Sequence, residues 1–265
     1  MIKIKSQREI ELMRKAGEIL AETRKMLEPH IKPGITTKKL DQLAEEFILS
    51  KDAIPSFKDY QGFKGSLCTS VNEVVVHGIP SKKQNLKNGD IITIDIGVNY
   101  KGYHADSAYT YAVGPVSKEV KQLLEVTEAA LYEGLKYAKP GNHVSDISHA
   151  IEQFAKPYGY GIVEEFTGHG IGNSLHEEPY VPNFGKPGEG PILRPGMTFC
   201  VEPMFNLGTK HVKILRDNWT TVTTDKKYSA HFEHTIVITK DGHEILTKLK
   251  EEWVYGQRRF NRSWS

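Results

Sequence analysis

The sequence predicts an α+β protein, and two observations carry that expectation. Amphipathic helices alternate with short stretches rich in Val, Ile and aromatic residues, in the order helix, Pro-Gly break, helix, strands. That order occurs twice: Lys32-Pro-Gly with Leu40, Glu45 and Phe47 recurs as Lys139-Pro-Gly with Ile147, Glu152 and Phe154, at a constant offset of 107 residues. The reading is a pseudo-twofold duplicated unit, with halves of roughly 1–112 and 113–250 inside a single domain spanning 1–265. The two halves join into a central antiparallel sheet covered by helices. A site would lie at the join, where both halves can supply side chains.

Taken in order, Ser6-Gln-Arg-Glu9 reads as a capping box that opens a helix from about 7 to 28, with Ile10, Met13, Ile19 and Leu20 on its apolar face. Pro33-Gly34 stops it. Thr37 is placed to cap a second helix, whose stripe is Leu40, Leu43, Ala44, Phe47 and Ile48. An aromatic loop at 54–63 leads to a strand at about 66–76, which ends at Val76-His77-Gly78-Ile79-Pro80, and a polar loop follows. Beyond the next hairpin, Ser117 starts a long helix with Val120, Leu123, Leu124, Ala130, Leu131 and Leu135 inside. Lys139-Pro140-Gly141 ends it, and a further helix carries Ile147, Ile151 and Phe154 before Tyr158-Gly-Tyr-Gly breaks the pattern. From Ile162 onward the chain alternates like an antiparallel sheet with long loops.

Bulk properties narrow the class. A 265-residue chain with 38% hydrophobic and 26% charged residues is an ordinary soluble protein able to bury one large core or two small ones. Its N-terminus lacks the apolar centre of a signal peptide, and no apolar run is long enough to span a membrane. Two cysteines, Cys68 and Cys200, are too few for a disulfide framework or a cysteine-rich zinc module, which favours the reducing cytoplasm. A net charge of +2 does not argue for nucleic acid, and the basic tail Gln257–Arg262 reads as a solvated cluster.

The chemistry starts in the stretch Ile91 to Ser107. Asn99-Tyr-Lys-Gly102 is a polar turn between two strands. With Tyr100 and Lys101 at the turn, Asp95 and Asp106 would face each other directly across the ladder. Like charges so placed destabilise a sheet, so a shared proton or a bound cation is expected to compensate. A solvated edge hairpin is the plainer alternative, but Asp95 sits in an apolar strand, where an unpaired charge is costly.

Three further candidates lie in the second half. His169 sits in Phe166-Thr-Gly-His-Gly-Ile-Gly172, where glycines let the backbone crowd a ligand. Glu202 follows a strand in which Met197, Phe199 and Val201 face one way and Glu202 the other, and Glu233 directly precedes the apolar strand Ile236–Thr239. The four carboxylates sum to the charge that two divalent cations neutralise, with His169 as a neutral donor. Such centres hold their ions roughly 3.5–4 Å apart and share a water. Oxygen-rich ligation with one imidazole suits manganese, iron, cobalt or zinc and argues against a structural zinc site.

At these residues the chain resembles the type I methionine aminopeptidases, which have the pita-bread (creatinase/aminopeptidase) fold. The similarity runs from the Ser6 helix to about Leu246. It is carried by Asn72-Glu-Val-Val-Val-His-Gly-Ile-Pro80, Ile94-Asp95 with His104-Ala-Asp106, Phe166–Gly172 with His176-Glu-Glu-Pro179, Phe199-Cys-Val-Glu202-Pro-Met204, and Glu233-His-Thr235. The resemblance implies that Asp95, Asp106, His169, Glu202 and Glu233 hold two divalent metal ions (Co, Mn, Fe or Zn). It implies that Glu202 acts as general acid/base, that His176 stabilises the oxyanion, and that His77 donates near the scissile nitrogen. Tyr60, Phe63, Cys68 and Trp219 match the methionine pocket, where an aromatic slot with a sulfur neighbour suits a thioether. His77 and His176 also contact the bound main chain, so a small second residue is expected. Phe57 and Leu175 depart from some bacterial members, which leaves the pocket's rim less defined than its floor.

The implied function is removal of N-terminal methionine from nascent proteins by a metal-dependent hydrolase. It would be a cytoplasmic monomer whose partners are nascent N-termini and a transient ribosome contact, with no membrane and no specific nucleic acid. Two rivals share the fold. Proline-specific aminopeptidases and dipeptidases resemble longer chains with an N-terminal domain, for which the early Ser6 helix leaves no room. Metal-free binding modules have lost ligands that are all present here. The long insertion of type II methionine aminopeptidases is also missing between His169 and Glu202.

Overall fold

The structure, a computed structural model, describes residues 1–249. Helix α1 (Gln7–Leu27) begins at the expected capping box: the Ser6 hydroxyl accepts from the Glu9 N–H, and the Glu9 carboxylate accepts the Ser6 N–H at 2.7 Å. Helix α2 (Thr37–Ser50) is capped one residue earlier than expected, by Thr36, whose side chain accepts from the Lys39 N–H. Thr37 is instead turned inward and exchanges hydrogen bonds with the Ser81 backbone.

The single strand expected at 66–76 is two, Leu67–Val71 and Val74–Val76. Asn72 separates them with φ +55, and its side-chain oxygen accepts the Ile91 N–H at 2.9 Å. Asn tolerates the left-handed region because its short polar side chain bonds locally.

The central hairpin, Ile91–Tyr100 and Tyr103–Ala112, forms with a register different from the expected one. Its turn residues are Lys101 and Gly102, both with positive φ (+50 and +87), and Tyr100 pairs with Tyr103. Asp95 therefore lies opposite Ala108, and Asp106 opposite Gly97. A two-residue turn with both φ values positive matches strand twist. Placing it at Tyr100 would force an aromatic residue into that region, whereas Gly102 enters it without steric cost.

Helix α3 (Lys118–Leu135) is capped by Ser117 as the sequence indicates, and α4 (Val144–Ala155) starts 107 residues after α2. The offset extends to individual bonds. Gly34 N–H to Leu86 O and Leu86 N–H to Ile35 O recur as Gly141 N–H to Leu193 O and Leu193 N–H to Asn142 O. The bridge Thr36 to Asn85 recurs as His143 to Ile192.

Among the described residues the strands form not one continuous ladder but four antiparallel sheets. In one of the two larger sheets, Ile91–Tyr100 lies between Leu67–Val71 and Tyr103–Ala112. In the other, Thr198–Val201 lies between Gly168–Gly170 and His234–Ile238. Leu20, Leu40, Ile48, Ile92 and Ile94 fill the core under α1 and α2; Leu123, Ile147, Ile151, Phe199 and Ile236 fill the one under α3 and α4. Each such side chain contributes roughly 1.5–3 kcal/mol by leaving water. The sheets are tied together by Glu233 N–H to Ala108 O (2.9 Å), Thr110 Oγ1–H to His231 O (2.7 Å) and Asp106 N–H to Thr235 Oγ1 (2.9 Å). These bonds set Asp106 beside Glu233. Among the described residues, no helix is long and apolar enough to cross a membrane.

Candidate metal centre and active site

Asp95 and Asp106 project from the same face of the hairpin, because each is an even number of positions from the other's partner. Phe199 and Val201 point into the core, so Cys200 and Glu202 point the other way, toward the hairpin. His169 lies between Gly168 and Gly170, and neither glycine has room for a side chain. A β-carbon would stand 2.2 Å from the Cys200 carbonyl oxygen at Gly168 and 2.1 Å from that of Glu178 at Gly170. The close approach of three strands is what carries the imidazole inward.

The structure brings all five sequence-predicted residues to one point. Carboxylate oxygens of Asp95, Asp106 and Glu233 lie within 4.8 Å of one another. His169 Nε2 is 3.9 Å from Asp106 Oδ2 and 3.7 Å from Glu202 Oε1. Cys200 also comes within reach of His169 and Glu233, but its sulfur contacts the Thr235 hydroxyl at 3.4 Å and burial pushes its thiol pKa well up. A protonated thiol is a poor ligand beside four carboxylates.

The electrostatics of the cluster call for cations. Burial raises Asp95 to about 7. Asp106, Glu202 and Glu233 are pushed well above the usual carboxylate range by burial first and by one another second. Burial also lowers His169 to about 3, so its ring is a neutral donor at neutral pH. Asp95 Oδ1, Asp106 Oδ1 and Glu233 Oε1 are buried without a hydrogen-bond partner. Within the described residues, the ion-pair contacts of Asp106, Glu202 and Glu233 are to imidazoles alone. Carboxylates so placed and so poorly satisfied fit divalent metal ions, which would supply the missing positive charge.

His231 is a neighbour that sequence reasoning missed. It is 2% exposed, neither ring nitrogen has a partner, and its Nε2 lies 3.6 Å from Glu202 Oε2 and 4.0 Å from Glu233 Oε2. The available signal was its position two residues before Glu233, on the same side of an extended chain.

The cleft beside the cluster contains the remaining candidates. His176 lies ring to ring with His169, centroids 4.3 Å apart, and its Nδ1 is 2.9 Å from the Tyr60 hydroxyl. His77, at φ +59, packs edge-on against Phe166 and Trp219. Burial lowers His77 to about 4 and lowers His176 as well. Phe63 and Trp219 meet edge to face at 5.1 Å, and Phe57, Cys68 and Leu175 complete the same apolar cluster. Cys68 pairs with Asp95 across the ladder, so the apolar slot and the carboxylate cluster share a wall. The Lys5–Glu177 pair, at 2.6 Å and almost fully buried, anchors the segment that carries His176.

The chain is similar to known proteins along most of its length. The profile of metallopeptidase family M24 matches residues 11–240. Methionine aminopeptidase 1 of Bacillus subtilis is 56% identical over 249 residues, covering 94% of this chain and 100% of the relative. Methionine aminopeptidase of Clostridium acetobutylicum is 50% identical, covering 93% and 99%. The crystal structure of methionine aminopeptidase from Rickettsia prowazekii superimposes with a TM-score of 0.92 at 44% identity, covering 94% of this chain and 100% of that one. The prolidase from Pyrococcus furiosus shares the fold, with a TM-score of 0.77 at 24% identity, and this chain covers 66% of its length.

Proposed function

Because this chain belongs to metallopeptidase family M24, with the pita-bread fold, we propose that the site described above removes the N-terminal methionine of newly made proteins. The chain is a metal-dependent hydrolase of the methionine aminopeptidase kind, and the proline-specific and metal-free readings are not favoured. The observation that carries the site assignment is the convergence of Asp95, Asp106, His169, Glu202 and Glu233 with buried, unsatisfied carboxylate oxygens.

In this reading those five side chains hold two divalent ions, drawn from cobalt, manganese, iron and zinc. When bound, the ions lower the pKa of water and polarise the scissile carbonyl. Glu202, whose carboxyl burial pushes well above its ordinary range and which bound cations would draw toward ionisation, accepts the proton of the attacking water and passes it toward the leaving amine. His176 donates to the developing oxyanion, and His77 donates near the scissile nitrogen. Tyr60, Phe63, Cys68 and Trp219 take the methionine side chain, whose unbranched thioether makes favourable contacts with aromatic rings. The walls formed by His77 and His176 restrict the second residue to small side chains. Two buried free thiols are in keeping with a reducing cytoplasm, where nascent chains emerge. A monomer that touches the ribosome only transiently completes the reading.

The test is hydrolysis of a Met-Ala-Ser peptide against an X-Pro peptide by chelator-stripped protein reloaded with each metal in turn. The expected result is metal-restored release of methionine and no X-Pro cleavage. Glu202→Gln should reduce kcat by on the order of 10²-fold or more. Preferential X-Pro cleavage, or full activity without metal, would overturn the assignment.

A further inference from the structure

The geometry points to a second task for Tyr60. We propose that it is a positioning residue for His176, its hydroxyl donating to Nδ1 and so fixing the tautomer that presents Nε2–H to the substrate. The inference rests on the role of His176 given above.

The contact is direct: Tyr60 Oη lies 2.9 Å from His176 Nδ1, with ring centroids 5.4 Å apart. A neutral imidazole carries one N–H, and the nitrogen left unprotonated must accept. A tyrosine hydroxyl can donate or accept, so the contact alone allows either tautomer; the oxyanion role of His176 needs the proton on Nε2, and Nδ1 then accepts from the phenol. Only that tautomer can donate to an oxyanion from Nε2, because Nδ1 is occupied by the phenol.

The backbone supports this assignment. Tyr60 stands between Asp59 (φ +62) and Gln61 (φ +48), two non-glycine residues in the left-handed region. Conformations of that kind cost energy and persist where the surroundings hold them, often at functional sites. Here the holding bonds run to the pocket itself. Tyr60 N–H donates to Phe57 O at 3.0 Å, Phe63 N–H donates to Tyr60 O at 2.9 Å, and Asp59 N–H donates to Phe63 O at 2.7 Å. Leu175, next to His176 in the chain, packs into the same apolar cluster. The residue that walls the slot is thus the one that orients the oxyanion donor. Occupancy of the slot by a methionine side chain would be coupled to the readiness of His176.

The decisive experiment is nitrogen-15 NMR of the histidine-labelled, zinc-loaded protein, with the His176 resonances assigned by their absence in His176→Asn. In the wild type, His176 is expected to have a protonated Nε2 and an unprotonated, hydrogen-bonded Nδ1. Tyr60→Phe, which keeps the aromatic wall, should shift the ring toward a mixture of tautomers. It should also lower kcat for a methionine peptide roughly tenfold, with KM little changed. A wild-type ring protonated on Nδ1 overturns the proposal without any variant. So does a Tyr60→Phe protein with unchanged tautomer and kcat. The tautomer is read without turnover, so a protein that shows it but does not release methionine contradicts the peptidase assignment and not the Tyr60–His176 pairing.

Discussion

Asp95 and Asp106 are diagonal neighbours on one face of the hairpin, with Asp95 opposite Ala108 and Asp106 opposite Gly97. Diagonal positions lie roughly 7–8 Å apart along the ladder, against 4.5–5.5 Å for direct partners, so two carboxylates can converge on ions held between them. At Gly97 the place of a side chain is taken by the Phe57 ring, which would stand 2.6 Å from a β-carbon there.

Without metal, this arrangement concentrates buried acid where little compensates it. Asp106→Asn should therefore stabilise the metal-free protein by on the order of 1–3 kcal/mol at about pH 8 and remove most of the stabilisation that metal confers. Calorimetric Tm values with and without metal check both parts. A lower Tm for the metal-free variant would contradict the account.

The same acids make stability and metal binding depend on pH. A carboxyl whose folded pKa is raised binds more protons folded than unfolded, so its contribution to stability falls as pH rises through that window. Asp95, near 7 against an ordinary 3.8, and Asp106, Glu202 and Glu233, each raised well above its ordinary value by burial, all act in this sense. His77 and His169, lowered to about 4 and 3, act in the opposite sense, but only below their ordinary value of 6.5. From 6.5 to about 8 the carboxyls act alone, so Tm of the metal-free protein should fall across that range. Metal binding at pH 7 should release protons, as titration calorimetry in two buffers of different ionisation enthalpy would show.

Gly168 is a packing requirement of the strand that carries His169. A β-carbon there would stand 2.2 Å from the backbone oxygen of Cys200, which cannot move without breaking the sheet. Gly168→Ala should cost more than about 3 kcal/mol in urea denaturation and weaken metal binding, whereas Gly242→Ala, with open space around it, should leave metal binding unchanged.

His231 faces the Glu202 oxygen that is turned away from His169. A donor there would orient the carboxylate, and losses of such outer partners lower metal affinity about 10–100-fold. His231→Leu should fall in that range by titration calorimetry, and His231→Gln, which still donates, should recover most of the loss.

How much of this was legible in the sequence follows from how local each signal is. The caps of α1 and α3 are read within four residues, and both stand where Ser6 and Ser117 place them. The hairpin's existence was equally plain, but its register was not. Asn99-Tyr-Lys-Gly102 allows two turn positions, and the choice depends on which residues can take positive φ. The strand expected at 66–76 broke at Asn72, because that side chain serves a neighbouring strand that the local pattern does not show. The five clustered side chains were found through motifs and charge balance. His231 escaped because its surroundings are built by Glu202 and Glu233 after folding, and the expectation for the basic tail at 257–262 lies outside the described residues.

The most direct test is anomalous diffraction from crystals grown with a manganese salt. Two strong peaks roughly 3.5–4 Å apart, both bounded by Asp95, Asp106, His169, Glu202 and Glu233, are the predicted result. A peak elsewhere, or none among these five side chains, would contradict the assignment.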